Sequence, residues 1–118
     1  MVASKSHRDE SISRVKDSLG IVDELNVGSV GLKLGLIARG DRDLYVNLQG
    51  KSKRWDTLGP QVILQEAGGR LTDARGRAID YRADDLANRD GLIASNGRLH
   101  DEIVAKIAPI QAGVARTE

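Results

Sequence analysis

Residues 53–69 read KRWDTLGPQVILQEAGG, and this stretch says more about the fold than any other part of the chain. Its apolar residues recur at helical spacing, which predicts a helix that begins at Trp55. Pro60 is tolerated in such a helix within the first turn, because a backbone N–H there has no partner to lose. Two glycines follow and end the helix, since glycine adopts the backbone conformation of helix ends at no steric cost. A polar, basic loop therefore leads into a helix with a defined end.

Short apolar runs alternate with helical patterns along the rest of the chain. They predict strands at residues 1–4, 21–27, 43–48, 70–72 and 91–94, and helices at residues 6–19, 28–39, 55–67 and 96–110. The charged stretch at residues 80–90 is expected to be a surface loop, and a further, optional strand is placed between the strands at residues 70–72 and 91–94. This order predicts an α/β layered domain with a mixed, mainly parallel sheet of about five strands flanked by helices. We expect one domain over residues 1–111 and a frayed tail over residues 112–118.

Composition excludes several classes of function. In 118 residues, 18 Lys and Arg against 17 Asp and Glu leave a net charge of +1, so no strong field attracts a nucleic acid polymer or a membrane. Aromatic residues make up 3% of the chain and cysteine is absent, which excludes base-stacking platforms, thiol nucleophiles and thiolate zinc sites. No apolar run approaches the roughly 20 residues of a membrane span, and the first residues lack the apolar core of a signal peptide. We therefore expect a cytoplasmic protein.

Asp56 stands where the basic loop meets the predicted helix. A helix N-terminus keeps a carboxylate ionised, and an ionised carboxylate is a preferred ligand of Mg²⁺. The alternative is that Asp56 only caps the helix by accepting hydrogen bonds from its first amides. Trp55 is expected to pack in the core and to fix the direction of Asp56. Spacing alone leaves both roles open.

A glycine-rich segment at Gly28-Ser29-Val30 begins another predicted helix. The unpaired amides at such a helix start suit an anion. Lys33 follows on the same helix. It either meets a phosphate or extends its apolar stem along a buried, glycine-rich helix.

The two histidines and the basic loop carry weaker signals. His7 is expected to be an exposed ring at a capped helix start, and no acidic side chain is placed to make it a general base. His100 is expected to face solvent in the last helix. The basic cluster at residues 51–54 either attracts a polyanionic substrate or is a solvated loop.

A resemblance to a known family joins these residues. Trp55-Asp56-Thr57, followed by Glu66-Ala67-Gly68-Gly69, resembles the second signature of the inositol monophosphatase superfamily of metal-dependent phosphatases. The stretches at residues 4–7, 28–33 and 53–57 together resemble the bacterial 3′(2′),5′-bisphosphate nucleotidase branch. The similarity extends through residues 96–100, so it covers nearly the whole chain.

The resemblance implies the fold of the C-terminal domain of those enzymes. It also implies Mg²⁺-dependent hydrolysis of 3′-phosphoadenosine 5′-phosphate to AMP and phosphate, with inositol phosphates as the alternative substrates. Asp56 would be a metal ligand by this resemblance. The substrate-binding residues that it implies are Ser4, His7, Gly28, Ser29 and Lys33.

The chain departs from the family pattern in what it lacks. The first signature, of the form D-P-I/L-D-G-T, supplies most of the metal ligands in the family, and it does not occur here. Asp84-Asp85 is acidic but lies in a late loop without that pattern. One carboxylate does not hold the two or three magnesium ions that activate water and neutralise the leaving oxygen. We therefore expect an incomplete Mg²⁺ site and no appreciable activity from this chain alone.

Leu58, Gly59 and Gln61 also depart from the second signature. These changes are expected to affect helix packing more than metal ligation.

Three hypotheses for function use these same residues. The chain is the C-terminal part of a magnesium-dependent phosphatase that works beside an N-terminal half on a separate chain, or it is a phosphate- or nucleotide-binding module without hydrolysis. The third hypothesis is a self-associating interaction module. Without the other half of the family fold, apolar surface around Trp55, Leu58 and residues 28–31 is left uncovered. A homodimer is the commonest way to cover such a face.

Overall fold

A computed structural model describes residues 1–4, 10–48, 55–79 and 91–117; the side chains of residues 4, 27, 55, 56 and 112–117 lie outside this description. The strands are β1 (Val2–Ser4), β2 (Leu25–Val27), β3 (Leu44–Asn47), β4 (Arg70–Thr72) and β5 (Leu92–Ser95). The helices are α1 (Glu10–Leu19), α2 (Val30–Ala38), α3 (Trp55–Glu66) and α4 (His100–Thr117). They follow one another as β1-α1-β2-α2-β3-α3-β4-β5-α4, which is the alternation that the sequence predicts.

The strands form one sheet in the order β2-β1-β3-β5-β4. β1 pairs in parallel with β2 and β3, whereas β5 pairs antiparallel with β3 and β4. Of the described strands, β5 alone therefore runs against the other four. The carboxyl ends of β1, β2 and β3 meet at one edge of the sheet, which is called the strand-end edge below.

Each face of the sheet is covered by a pair of helices, because successive side chains of a strand point to opposite faces. Val46 of β3 belongs to a core cluster with residues of α1 and α4. Its neighbour Tyr45 belongs to a second cluster with Leu34 of α2 and Leu64 of α3. The result is a three-layer α/β/α arrangement. This architecture confirms the predicted α/β fold with its mixed, mainly parallel sheet.

Three local predictions are wrong. The strand predicted over residues 21–27 is confined to β2, because only Leu25–Val27 pair with the three residues of β1. Pro60 lies in the second turn of α3 rather than the first, where its ring faces α2 so closely that a Cβ on Gly31 would be 3.6 Å away. His100 begins α4 and is 1% exposed, so it does not face solvent.

The predicted limits of the domain stay predictions. The backbone of α4 continues past residue 111 to Thr117. The predicted helix cap at residues 6–9, the basic cluster at residues 51–54 and the surface loop predicted over residues 80–90 lie outside the described residues. None of the described helices combines the length and the apolar character that a bilayer crossing requires. The cytoplasmic location stays a prediction.

Candidate functional site

The strand-end edge brings together two of the segments that the sequence singled out. Ser4 ends β1 and is the register partner of Val27, which ends β2. Gly28 and Ser29 follow at once, so the backbone of Ser4 and this turn are neighbours. Ligands of open α/β sheets bind outside the carboxyl ends of the strands, and this edge is therefore where a ligand is expected. The side chain of Ser4 and the whole of His7 lie outside the described part.

Ser29 forms the start of α2. Its hydroxyl oxygen accepts a hydrogen bond from the Leu32 amide at 3.3 Å, as an N-cap residue does. Its φ of 66° lies in the left-handed region that favours glycine. Gly28 and Ser29 are both exposed. The turn therefore presents an exposed backbone at the positive end of a helix.

Asp56 is the second residue of α3, the helix that follows β3. Next to it, Thr57 is completely buried and anchors the first turn of this helix. The contact of Pro60 with Gly31 sets the amino-terminal halves of α2 and α3 side by side. The Asp56 carboxylate itself lies outside the described side chains, so its role as a metal ligand stays a prediction.

Lys33 does not lie on the exposed rim with Ser29. Only 4% of this residue is exposed, and its ammonium lies 4.8 Å from the centroid of the Tyr45 ring. Burial lowers the pKa of this ammonium below its usual range. The sequence pattern did not indicate this contact with Tyr45, because Tyr45 occupies an ordinary core position of β3.

A magnesium site needs several oxygen ligands in near-octahedral geometry. Within residues 1–4, 10–48, 55–79 and 91–117, no three His, Asp or Glu side chains come together. Asp73, which follows β4, is engaged in its own turn: its carboxylate accepts from the amides of Arg75 and Arg77 and pairs with the Arg77 guanidinium at 2.9 Å. The described side chains therefore do not fit a complete magnesium site.

A buried polar cluster formed by Thr72, Ser95 and His100 ties β4, β5 and α4 together. The Thr72 hydroxyl donates to the Asp73 carbonyl oxygen at 2.8 Å, so it accepts from Nε2–H of His100 at 2.9 Å. Nδ1 of His100 then accepts from the Ser95 hydroxyl at 2.6 Å, while the Gly97 amide donates to the same oxygen at 3.1 Å. The neutral imidazole tautomer with its proton on Nε2 is therefore consistent with all of these hydrogen bonds.

The surroundings of His100 favour that neutral form. Burial lowers the pKa of its imidazole, the Arg70 charge lowers it further, and Asp101 opposes part of the change. The expectation of a solvent-facing ring fails because His100 is the first residue of α4, where the chain folds back onto β4 and β5. The cluster therefore has a structural task rather than a place in the candidate site.

Comparison with known proteins assigns the family. The model of the inositol monophosphatase family matches residues 2–112. The chain belongs to this family. A family relative, 3′(2′),5′-bisphosphate nucleotidase 1 of Dictyostelium discoideum, is 33% identical over 95 residues, which cover 79% of this chain and 30% of that protein.

Solved structures of the inositol monophosphatase family share the fold. Staphylococcal IMPase-II bound to 2′-AMP superposes with a TM-score of 0.75 at 19% identity, covering 98% of this chain and 44% of that one. The same enzyme bound to inositol monophosphate gives a TM-score of 0.74 at 18% identity, covering 98% and 45%. At these identities the likeness shows the fold alone. The chain spans less than half the length of these family members and matches the C-terminal part of its nucleotidase relatives.

Proposed function

We propose that this chain is the C-terminal part of a Mg²⁺-dependent phosphomonoesterase of the bisphosphate nucleotidase and inositol monophosphatase type. The proposed reaction converts 3′-phosphoadenosine 5′-phosphate to AMP and phosphate, with inositol phosphates as the alternative substrates. One observation carries the proposal: in a chain of this family, Ser4 and the Gly28-Ser29 turn meet at the strand-end edge, beside the helix that begins with Trp55-Asp56. The nucleotidase relative and the 2′-AMP complex of the staphylococcal enzyme support the substrate class.

Each site residue has a proposed task. Asp56 is the carboxylate that this chain offers to Mg²⁺, an ion that polarises phosphoryl oxygens and lowers the pKa of bound water. The exposed Gly28-Ser29 turn faces a substrate phosphate with its amides. Ser4 and His7 belong to the stretch that approaches the second phosphate. Lys33, buried beneath this turn, supplies a positive charge that attracts the same phosphates.

We further propose that the chain alone does not hydrolyse phosphate esters. Asp56 by itself leaves the magnesium ligands incomplete, and the N-terminal half of the family fold would supply the others as a separate chain or segment. Each metal role that is lost removes several kcal/mol of transition-state stabilisation. Because about 1.36 kcal/mol is a factor of ten in rate, activity falls by orders of magnitude.

A phosphate-release assay with 3′-phosphoadenosine 5′-phosphate and Mg²⁺ tests this proposal. We expect no release from the purified chain, and release from the chain mixed with the unmatched N-terminal part of the Dictyostelium nucleotidase. Asp56→Asn should abolish that release, whereas Asp17→Asn, at an exposed carboxylate of α1, should leave it unchanged. Release by the chain alone would contradict the incomplete site. Release that survives Asp56→Asn would contradict the metal role.

An exposed apolar face favours a second function, that of an interaction module. Leu32 of α2 and Leu58, Val62 and Ile63 of α3 are between 50% and 62% exposed, while the opposite side of α3 packs Leu64 into the core. Apolar side chains exposed together on a protein surface often mark a site that binds a partner. The proposed cover is the N-terminal half of the family fold or, for the isolated chain, a second copy.

A further inference from the structure

Lys33 is a buried cation without a described counter-ion. Only 4% of it is exposed, and none of the described carboxylates forms an ion pair with it. Buried charges in proteins are normally paired, because an ion loses its hydration in the interior. Within the described residues, the group that contacts this ammonium is therefore not a carboxylate.

The Tyr45 ring is that group. The Lys33 ammonium lies over the ring at 4.8 Å from its centroid, within the distance at which the negative face of an aromatic ring attracts a cation. Tyr45 is fully buried in β3, which is paired on both sides by β1 and β5. The ring is thus held by the sheet, whereas the lysine has a long and flexible stem.

The Tyr45 hydroxyl takes no part in this contact. It is buried, and no described group forms a hydrogen bond of acceptable geometry with it. Burial raises the pKa of Tyr45, and the nearby Asn47 side chain offsets part of that rise, so the phenol stays neutral. The face of the ring, which phenylalanine also has, is what Lys33 contacts.

We propose that Tyr45 is a positioning residue whose ring face holds the Lys33 side chain in the core beneath the strand-end edge. The Lys33 amide donates to the Ser29 carbonyl oxygen at 3.2 Å, so one turn of α2 carries both the exposed cap and the held lysine. Held there, the lysine places a positive charge beneath the exposed cap, where it attracts a substrate phosphate without direct contact. The phosphate part of this inference rests on the proposed function, whereas the hold of Tyr45 on Lys33 does not.

Amine acetylation of the full chain, followed by mass spectrometry, tests whether Tyr45 holds the Lys33 side chain in the core. We expect Lys33 to be protected in the wild type and in Tyr45→Phe, and to react at least about tenfold faster in Tyr45→Leu, because leucine fills much of the space but attracts no cation. The exposed Lys106 of α4 should react equally in all three proteins. Protection that persists in Tyr45→Leu overturns the proposal, and so does a Phe variant that behaves like the Leu variant.

A nucleotide titration tests the consequence for binding. The affinity for 3′-phosphoadenosine 5′-phosphate should be unchanged in Tyr45→Phe and fall about three- to thirtyfold in Tyr45→Leu, because the lysine charge is then no longer held beneath the cap. Lys33→Met should weaken binding at least as much. Leu64→Ala, a cavity in the same core cluster, should leave Lys33 protected, which separates positioning from a general loss of packing.

Two further outcomes are decisive. If Tyr45→Leu does not fold, proton NMR of the wild type still tests the proposal. The ring current of Tyr45 must then shift the ε-methylene protons of Lys33 upfield of those of Lys106. An unshifted signal overturns the proposal. If acetylation responds to Tyr45→Leu but Lys33→Met binds the nucleotide normally, the phosphate role of Lys33 in the proposed function fails and the hold of Tyr45 on Lys33 stands.

Discussion

At the scale of single residues, His100 shows how one buried side chain joins three elements. Its ring bonds to Thr72 of β4 and to Ser95 of β5, and its backbone begins α4. All three side chains are 5% exposed or less, so water does not replace a lost partner. Shortening the histidine would leave two hydroxyls with fewer partners and a cavity between them.

We therefore expect His100→Ala to lower the free energy of unfolding by about 3 kcal/mol. Buried polar groups left without partners cost about 1–3 kcal/mol, and the cavity adds to this cost. Urea unfolding followed by circular dichroism measures the change. Glu102→Ala, at an exposed position of the same helix, is the control and should stay within about 0.5 kcal/mol of the wild type. A loss below about 1 kcal/mol would contradict the structural role of the cluster.

The lowered pKa of His100 predicts a pH dependence of stability. An unfolded histidine binds its proton near pH 6.5, whereas the folded one does so only at lower pH. Between those two values the unfolded state binds more protons, so stability falls as the pH decreases below about 6.5, by up to about 1.36 kcal/mol per pH unit. Unfolding curves between pH 7.5 and 5 should show this decrease, and His100→Ala should flatten it. An equal slope in the variant would assign the effect to other groups.

At the scale of elements, the start of β5 depends on one glycine. Gly91 has a φ of +75°, and a Cβ there would lie 2.6 Å from the Asn47 carbonyl oxygen. Gly20, which follows α1, has a φ of +68° but no atom within 4 Å of the corresponding position. A comparison of Gly91 with Gly20 thus separates the energetic cost of the left-handed backbone from the cost of a steric clash.

Alanine at Gly91 should therefore cost more stability than alanine at Gly20. Both substitutions carry the left-handed strain of about 1–2 kcal/mol, and Gly91→Ala adds overpacking of about 1–3 kcal/mol against a paired strand. Thermal unfolding of the two variants measures the difference. Equal losses would mean that β3 moves away from β5 without cost.

At the scale of the whole molecule, the two helix layers differ in their outer surfaces. Exposed charged residues lie on α1 and α4, among them Glu10, Arg14, Asp17, Asp101, Glu102 and Lys106. The outer side of α2 and α3 instead exposes Leu32, Leu58, Val62 and Ile63. Apolar patches on monomers are generally small unless they bind a partner, so the α2–α3 side is where association is expected.

We expect the isolated chain to self-associate at micromolar concentration and Val62→Lys to shift it toward the monomer. A lysine in the middle of the apolar face must lose its hydration on association, which is unfavourable. Val22→Lys is the matched control, since Val22 is 95% exposed and lies in the segment before β2 rather than on α2 or α3. Sedimentation velocity measures the three proteins. A wild-type monomer at all concentrations, or equal effects of both lysines, would contradict this role of the face.

Local patterns determined the order of elements and much of the candidate site. The strand at Arg70–Thr72, the helix that begins at Trp55 and the helix start after Ser29 follow from spacing and from glycine, serine and proline positions, which act within a few residues. The parallel course of β1 and β2 follows from the helix between them, and it places Ser4 beside Gly28. Family membership was likewise predictable from the motif around Asp56.

Only the tertiary structure decided which distant side chains meet. Lys33 lies over Tyr45, and His100 lies between Thr72 and Ser95, because the sheet has the order β2-β1-β3-β5-β4 and α2 and α4 cover opposite faces. Helical periodicity indicates which side of a helix is apolar, but it does not indicate which strand lies beneath it. That choice depends on the packing of all the layers together. For this reason His100, which the sequence predicts to be exposed, is buried and links β4 to β5.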